Sequence, residues 1–482
     1  MSGKQTEPKI ADRMGAFRVR EWRGLWWIPD SPDAVHSGVL KEQADGGTTL
    51  ELIGGFDTTI KTPLPGGGFT IEAGSQRLPM LLGQCGPTRI TVIEVMFRSS
   101  RGDPWAPYEQ TLAAGTGLVG VALSDAKDSI FHTAHLRLEN LLPWLNQGGL
   151  ELTRSADGRT SAAKVTRTTP VTATYSSWAI TGSTASGGFL AKHLHEATSV
   201  EAEIAAFLSV HSVEPRPHRG FSQIAHALTD LLTLAADQPC GQLSLTLDYP
   251  LPATAPTVTA GLAYDGNAEV LASRIWQAKP AEPVTSQYLF TCRDLPLDVL
   301  IERWLPLRER AADACNILLG TLYARPAFTE IRLLSMGIAA EALHAALFPD
   351  QRGMPDGRFK ALKAAALDGA PKADREWLHS RLRNEPSYKD RLLQLAELPD
   401  QTAVNSLIPD RSAWARDLKD ARNGMAHRAR PNVSYDTLFE LAEVSRFLLY
   451  LVLMNELGLP GEVQQRALQQ NQFLSIYRHE DT

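Results

Sequence analysis

The spacing of apolar positions changes once along the chain. Up to about residue 292 they fall in short β-rich runs at 17–22, 24–29, 48–53, 89–97, 129–138 and 171–180, separated by Gly, Pro and Asp turns. Such runs predict strands. A helical stretch at 221–236 follows, with Ile224, Ala225, Leu228, Leu231, Leu232 and Ala235 on one face, before strands resume at 241–248, 257–264 and 286–291. Together they predict a large antiparallel, sandwich-like or distorted-barrel domain over 15–292, with a helical insertion. From residue 298 the period is helical: a long helix at 299–323 kinked at Pro306, another at 328–348, and short helices at 358–367, 374–382 and 388–395. A further helix starts at Asp410 with a core stripe of Trp414, Leu418, Ala421 and Met425. Pro431 ends that segment, Ser434 caps a helix at 435–457, and Gly458 and Pro460 close it. The fold class is therefore α+β, a β-rich domain followed by an all-α bundle over 298–460 and a tail over 461–482.

In the helix at 328–348 the stripe Ile331, Leu334, Ile338, Glu341 and Ala345 places a carboxylate on an apolar line. A buried carboxylate needs a partner. Either Glu341 pairs with a basic side chain of the helix that begins at Asp410, or it sits partly exposed at the edge of the stripe.

At 482 residues the chain is long enough for two or three domains, and 43% hydrophobic with 21% charged residues is ordinary for a soluble protein. A net charge of −6 argues against a general nucleic-acid coat protein, so any contact with nucleic acid must be a local basic patch. Cys85, Cys240, Cys292 and Cys315 are far apart and form no Cys-x-x-Cys pair, which fits reduced thiols in a cytoplasm. The first residues have no apolar signal segment, and the densest apolar run, 447–454, is too short to span a membrane. A cytoplasmic location is expected, and Asn432-Val433-Ser434 then marks a helix start and no glycosylation site.

The densest chemical signal is Arg422-Asn423-Gly424-Met425-Ala426-His427. A fixed cation and an imidazole suffice to cut RNA without a metal, because the ribose 2′-hydroxyl is the nucleophile. Arg fits phosphate oxygens, and His titrates near working pH. Arg411, Arg416, Lys419, Arg428 and Arg430 surround the pair and suit a phosphate backbone. In a continuous helix, positions five apart differ by about 140°, so Arg422 and His427 do not share a face. Either Gly424 loosens the turn, or two chains each give a motif to one cleft. The spacing also arises by chance in a capped helix with solvated Arg and His.

Other signals carry less. Gly115-Thr116-Gly117-Leu118-Val119-Gly120 has dinucleotide-type glycine spacing, but a strand rather than a helix follows. His132/His135 and His193/His195 lack the further ligands of a metal site. Gly66-Gly67-Gly68 reads as a hairpin turn, and Trp22, Trp26 and Trp27 read as core.

The motif, with Asn423 directly after Arg422, resembles the signature of HEPN ribonuclease domains, which are helical bundles. Residues 24–29 (GLWWIP), 36–40 (HSGVL), 49–56 (TLELIGGF) and 138–145 (LENLLPWL) resemble the N-terminal domain of ApeA-like abortive-infection proteins. The resemblance covers nearly the whole chain. It implies an antiphage effector: a sensing β-rich domain, met by a phage-derived trigger, fused to an endoribonuclease that needs no cofactor or metal and acts as a homodimer or higher homo-oligomer. It assigns catalysis to Arg422 and His427 and a supporting role to Asn423, with RNA, such as transfer RNA, as substrate. The alternative is a non-catalytic HEPN module that binds RNA or nucleotide and dimerises, with ligand sensing in the β-rich domain.

Overall fold

The computed structural model describes residues 20–43, 45–57, 60–63, 69–72, 77–103, 106–146, 149–155, 160–165, 169–193, 198–251, 265–273, 276, 287–324, 328–427 and 434–470. The strands are β1 (Glu21–Ile28), β2 (Ser31–Glu42), β3 (Thr48–Ile53), β4 (Ile60–Pro63), β5 (Phe69–Glu72), β6 (Arg77–Cys85), β7 (Thr88–Asp103), β8 (Ala106–Val119), β9 (Phe131–Leu138), β10 (Leu150–Arg154), β11 (Thr160–Val165), β12 (Val171–Tyr175), β13 (Trp178–His193), β14 (Thr198–Arg216), β15 (Gln242–Pro250) and β16 (Asp265–Ala272). The helices are α1 (Leu141–Leu145), α2 (His218–Ala236), α3 (Leu297–Arg310), α4 (Ala312–Tyr323), α5 (Thr329–Leu347), α6 (Asp356–Gly369), α7 (Arg375–Arg381), α8 (Tyr388–Glu397), α9 (Gln401–Leu407), α10 (Arg411–His427), α11 (Tyr435–Glu456) and α12 (Gly461–Gln469). This is the α+β architecture expected from the sequence. Two compact units divide the chain: one holds the chain up to Leu232, Pro239–Ser286 and Leu297–Ile301, the other Thr233–Gln238, Gln287–Pro296 and everything from Glu302.

In the first unit every strand pairing is antiparallel, and β8, β3, β2, β1, β6 and β7 close into a barrel because β7 also pairs with β8. The free edge of β8 is shared: its first half pairs with β3 and residues 116–119 pair with β16, so the barrel runs on into an open sheet ordered β16, β15, β9, β14, β13, β12. Trp26, Leu40, Leu50, Leu81, Ile90 and Val92 fill the barrel, each almost fully buried. The barrel alternative of the sequence reading thus holds, with Trp26 in its core and Trp22 packed against it. The two strands expected at 17–22 and 24–29 are one described strand from Glu21. Gly24 does not break it, because a Cβ there would lie 2.2 Å from the Gln84 carbonyl, so the glycine serves close strand approach. The run at 171–180 is a hairpin, β12 and β13, turning at Ser176 in the left-handed region, φ 53°. Residues 257–264, Gly66-Gly67-Gly68 and His195 lie outside the described residues. The expected strand at 286–291 is no strand over 287–291. Leu289 and Phe290 are buried there in a loop, tied by Leu289 N–H to the Ala235 carbonyl, so apolar content reflected packing and not extended pairing.

In the second unit, Pro306 lies inside α3 without ending it; the turn that should lose a hydrogen bond faces solvent at Glu302 and Pro306, where water can replace the partner. The break falls at Ala311 instead. The stripe read on α5 is also corrected: Ile331 and Ile338 are exposed, while Leu333, Met336, Ala340 and Leu343 are buried. α5 is apolar around most of its circumference, so periodicity alone chose the wrong face. The α10 stripe holds over Trp414, Leu418 and Ala421, which are buried, while Met425, its expected fourth member, is only partly buried near the end of the helix. α11 is capped by the Ser434 hydroxyl accepting from Thr437 N–H, as expected, and Gly458 follows it at φ 75°. α12 buries Val463, Ala467 and Leu468, packing on α9.

Candidate active site

α10 begins where Asp410 accepts a hydrogen bond from Ala413 N–H at 2.9 Å, and it packs against α5, α8 and α11. The Trp414 indole donates to the Ser445 hydroxyl of α11 at 3.3 Å, fixing the rotation of the helix. The helix then continues through Gly424 to His427. Gly424 therefore does not loosen the turn, and the backbone keeps positions 422 and 427 about 140° apart.

Arg422 is 28% exposed and held from two sides. Its Nη2 donates to Glu341 Oε2 of α5 at 2.7 Å, and its guanidinium lies 4.7 Å from the centre of the Tyr388 ring of α8. The Tyr388 hydroxyl donates to the Gly337 carbonyl at 3.1 Å, which locks the ring in place. Burial pushes the Tyr388 hydroxyl up to about 12, with Glu341 adding to the shift and Arg422 opposing it, so the phenol stays neutral. Glu341 also faces Arg391 Nη1 at 3.7 Å, and Arg391 Nη2 donates to Glu385 at 3.1 Å. One turn along α5, His344 Nε2 meets Gln394 Oε1 of α8 at 2.6 Å, and burial lowers its pKa, holding it neutral. Both of the open readings of Glu341 are thus true together: it pairs with the motif helix and it is partly exposed, 38% for the side chain.

Among the described residues, Nε and Nη1 of Arg422 have no hydrogen-bond partner, so two donors of a fixed, partly exposed guanidinium are left for an anion. Asn423 is exposed on α10, next to it in sequence. Arg416 and Lys419 are on the same helix, each beside its own acidic neighbour: Arg416 with Asp417 at 3.1 Å, Lys419 with Asp420 at 3.2 Å. Arg411 donates to Asn405 of α9. Arg428 and Arg430 lie outside the described residues, and of His427 only the backbone, the last residue of α10, is described. Tyr388, Arg391 and His344 were not legible as site residues. The one available signal was the three-residue spacing of Tyr388 and Arg391 on a short helix, which puts an aromatic and a cation on one side.

The features set aside in the sequence stay set aside. Gly115 and Gly117 lie within β8, not at the start of a helix. His135 is bonded to Ser209 at 3.1 Å and Asp248 at 2.8 Å, and among the described residues no group of His, Cys, Asp and Glu could hold a metal ion. No described helix is long and apolar enough to cross a membrane.

The chain is thus a β-rich unit followed by a helical bundle that holds a partly exposed Arg between α5, α8 and α10. Family models agree with it on both halves: ApeA N-terminal domain 1 matches residues 21–304, and Apea-like HEPN matches residues 334–463. The chain belongs to the ApeA-like family, HEPN nuclease-type effectors of antiphage defence. No curated protein and no solved structure matches it.

Proposed function

We propose that this protein is a metal-independent endoribonuclease whose site is built on α10. Arg422 holds the scissile phosphate and His427 accepts the proton of the ribose 2′-hydroxyl. The freed oxygen attacks phosphorus, the 5′-oxygen leaves and is protonated, and the products are a 2′,3′-cyclic phosphate and a 5′-hydroxyl. Asn423 offers an amide to the phosphate or sugar, and Lys419, Arg416, Arg428 and Arg430 supply screening charge along the strand. The substrate is RNA, transfer RNA being a suitable class for an effector that stops growth, and a phage-derived trigger acts on the β-rich unit in the cytoplasm.

The observation that carries this reading is the fixing of the Arg422 guanidinium by Glu341 and Tyr388 with its Nε and Nη1 donors left over. A guanidinium held in place needs no reorganisation when charge grows on phosphate. The 140° offset on a continuous helix supports the two-chain form of the site, in which a homodimer brings Arg422 of one copy to His427 of the other. The test is incubation of the purified protein with RNA and with an all-DNA copy in EDTA, beside His427→Ala. Cutting of RNA alone, lost in the variant while RNA affinity is kept, supports it; binding without cutting leaves the non-catalytic module.

A further inference from the structure

α6 and α7 stand apart from the bundle in one respect: neither contains a buried residue. They pack on each other, and the pair is closed by polar contacts instead of a core. Lys363 of α6 donates to the His379 and Leu382 carbonyls at 3.1 and 3.2 Å. Arg375 donates to the Asp368 and Ala370 carbonyls, both at 3.0 Å, tying the far end. At the base, Asn384 donates to the Met354 carbonyl and Asp356, both at 2.9 Å, and accepts from Met354 N–H at 3.0 Å. The run Ala364-Ala365-Ala366 lets α6 form on propensity where burial gives no support.

What this arm displays is cationic and aromatic. Residues 351–384 hold eight Lys and Arg against four Asp and Glu, in a chain whose net charge is −6. Arg358, Lys360, Lys372 and Arg381 are all exposed. Trp377 is 63% exposed, with the Arg381 guanidinium 5.8 Å from its ring centre. A tryptophan this open does nothing for a core, and a surplus of cations on an otherwise acidic chain selects a polyanion. Single-stranded nucleic acid is held by this combination, bases stacking on an aromatic face while Lys and Arg follow the phosphates. The arm also leads directly into α8, the helix that carries Tyr388 four residues after Asn384.

We propose that the α6–α7 arm is a docking element for single-stranded RNA, with Trp377 stacking on an unpaired base and Arg358, Lys360, Lys372 and Arg381 contacting phosphates. As a feature of substrate choice it rests on the ribonuclease reading above. The test uses full-length protein carrying His427→Ala, so that the probe, a short unstructured fluorescent RNA, stays intact. Its affinity is measured over a salt series with two further variants, Trp377→Ala and the combined Arg358→Gln, Lys360→Gln, Lys372→Gln, Arg381→Gln. The combined variant should bind about tenfold or more weakly at low salt, with a log–log salt slope shallower by about 2 to 3. Trp377→Ala should lose about fivefold or more. Melting temperatures should stay near that of the parent, because every altered side chain is exposed. Unchanged affinity and slope overturn the proposal, as does a changed oligomeric mass with unchanged RNA affinity, which makes the arm a contact between copies. The two readings fail separately: cutting by the wild type without any arm effect defeats only the arm, and RNA affinity lost with the arm in a protein that never cuts defeats only the nuclease.

Discussion

Glu341 on α5 and Arg422 on α10, 81 residues apart, are joined by a 2.7 Å hydrogen bond that positions the only arginine of the Arg-x4-His motif. Both side chains are partly exposed, so the pair adds little to stability, about 1 kcal/mol or less. Its effect should fall on catalysis. Glu341→Gln is expected to leave the melting temperature nearly unchanged and to slow single-turnover RNA cleavage about tenfold, since a guanidinium free to wander loses its preorganisation. Equal and small changes in both quantities would show that Glu341 does not position Arg422.

Tyr388 supports the same guanidinium from below through its ring, while its hydroxyl only anchors the ring to Gly337. Tyr388→Phe should therefore keep most activity and Tyr388→Leu should lose more. The hydroxyl also gives a pH signature. Burial holds its pKa up to about 12, against about 10 in an unfolded chain, so the folded state keeps a proton that the unfolded chain releases. Stability from this group is complete below about pH 10 and is lost as pH rises toward 12. Urea unfolding over that window should be less pH-dependent for Tyr388→Phe than for the wild type.

Arg446 of α11 is buried with two carboxylates, Asp237 and Glu443, and the Tyr450 hydroxyl; Glu443 also accepts from Arg332 at 2.7 Å. Arg446→Met leaves those carboxylates short of a cation in a buried place. The expected loss is about 3–5 kcal/mol, read by chemical denaturation of the full chain. A loss below about 1 kcal/mol would mean that water reaches the cluster.

Lys419 lies one turn before Arg422 on α10, whereas Arg416 is about 120° from it around the axis. Lys419→Ala should weaken cleavage at low salt by a few fold, an effect that fades as salt rises. Arg416→Ala should change it less than about twofold, because its position around the axis sets it further from the phosphate that Arg422 holds. Steady-state cleavage of one RNA at two salt concentrations separates these outcomes.

The helical half was more legible than the β half, for physical reasons. Caps such as Ser434 and Asp410 and stripes such as Trp414, Leu418 and Ala421 are local signals, and they marked α10 and α11 within a residue or so. The hairpin of β12 and β13 turns on Ser176 and Ser177, with no Gly or Asn to announce it, so two strands read as one. Closure of the barrel depends on β8 pairing with β3 as well as with β7, and its continuation into the open sheet on β8 giving the end of the same edge to β16; both the β3 and the β16 pairings are long-range, with no local mark. At the site, Arg422 was visible from its motif and Glu341 from its odd place on an apolar helix. Glu341 was found although its stripe faces solvent, because a carboxylate among apolar positions needs a reason on either face. Tyr388, Arg391 and His344 come to surround Glu341 and Arg422 only when α5, α8 and α10 pack, and beyond the spacing of Tyr388 and Arg391 nothing in their own segments records that.

In the proposed mechanism the 2′-hydroxyl is the nucleophile and Arg422 stabilises the phosphate it attacks. Its most direct test is the chemistry of the cut ends, using an RNA with a single 2′-deoxy sugar at the preferred cleavage position, in EDTA, with wild type and Arg422→Ala. That mechanism gives 2′,3′-cyclic phosphate and 5′-hydroxyl ends from unmodified RNA, no cut at the deoxy position, and a loss of about a hundredfold or more in rate for Arg422→Ala. Cleavage at the deoxy position, or 5′-phosphate ends that vanish with the chelator, contradicts it.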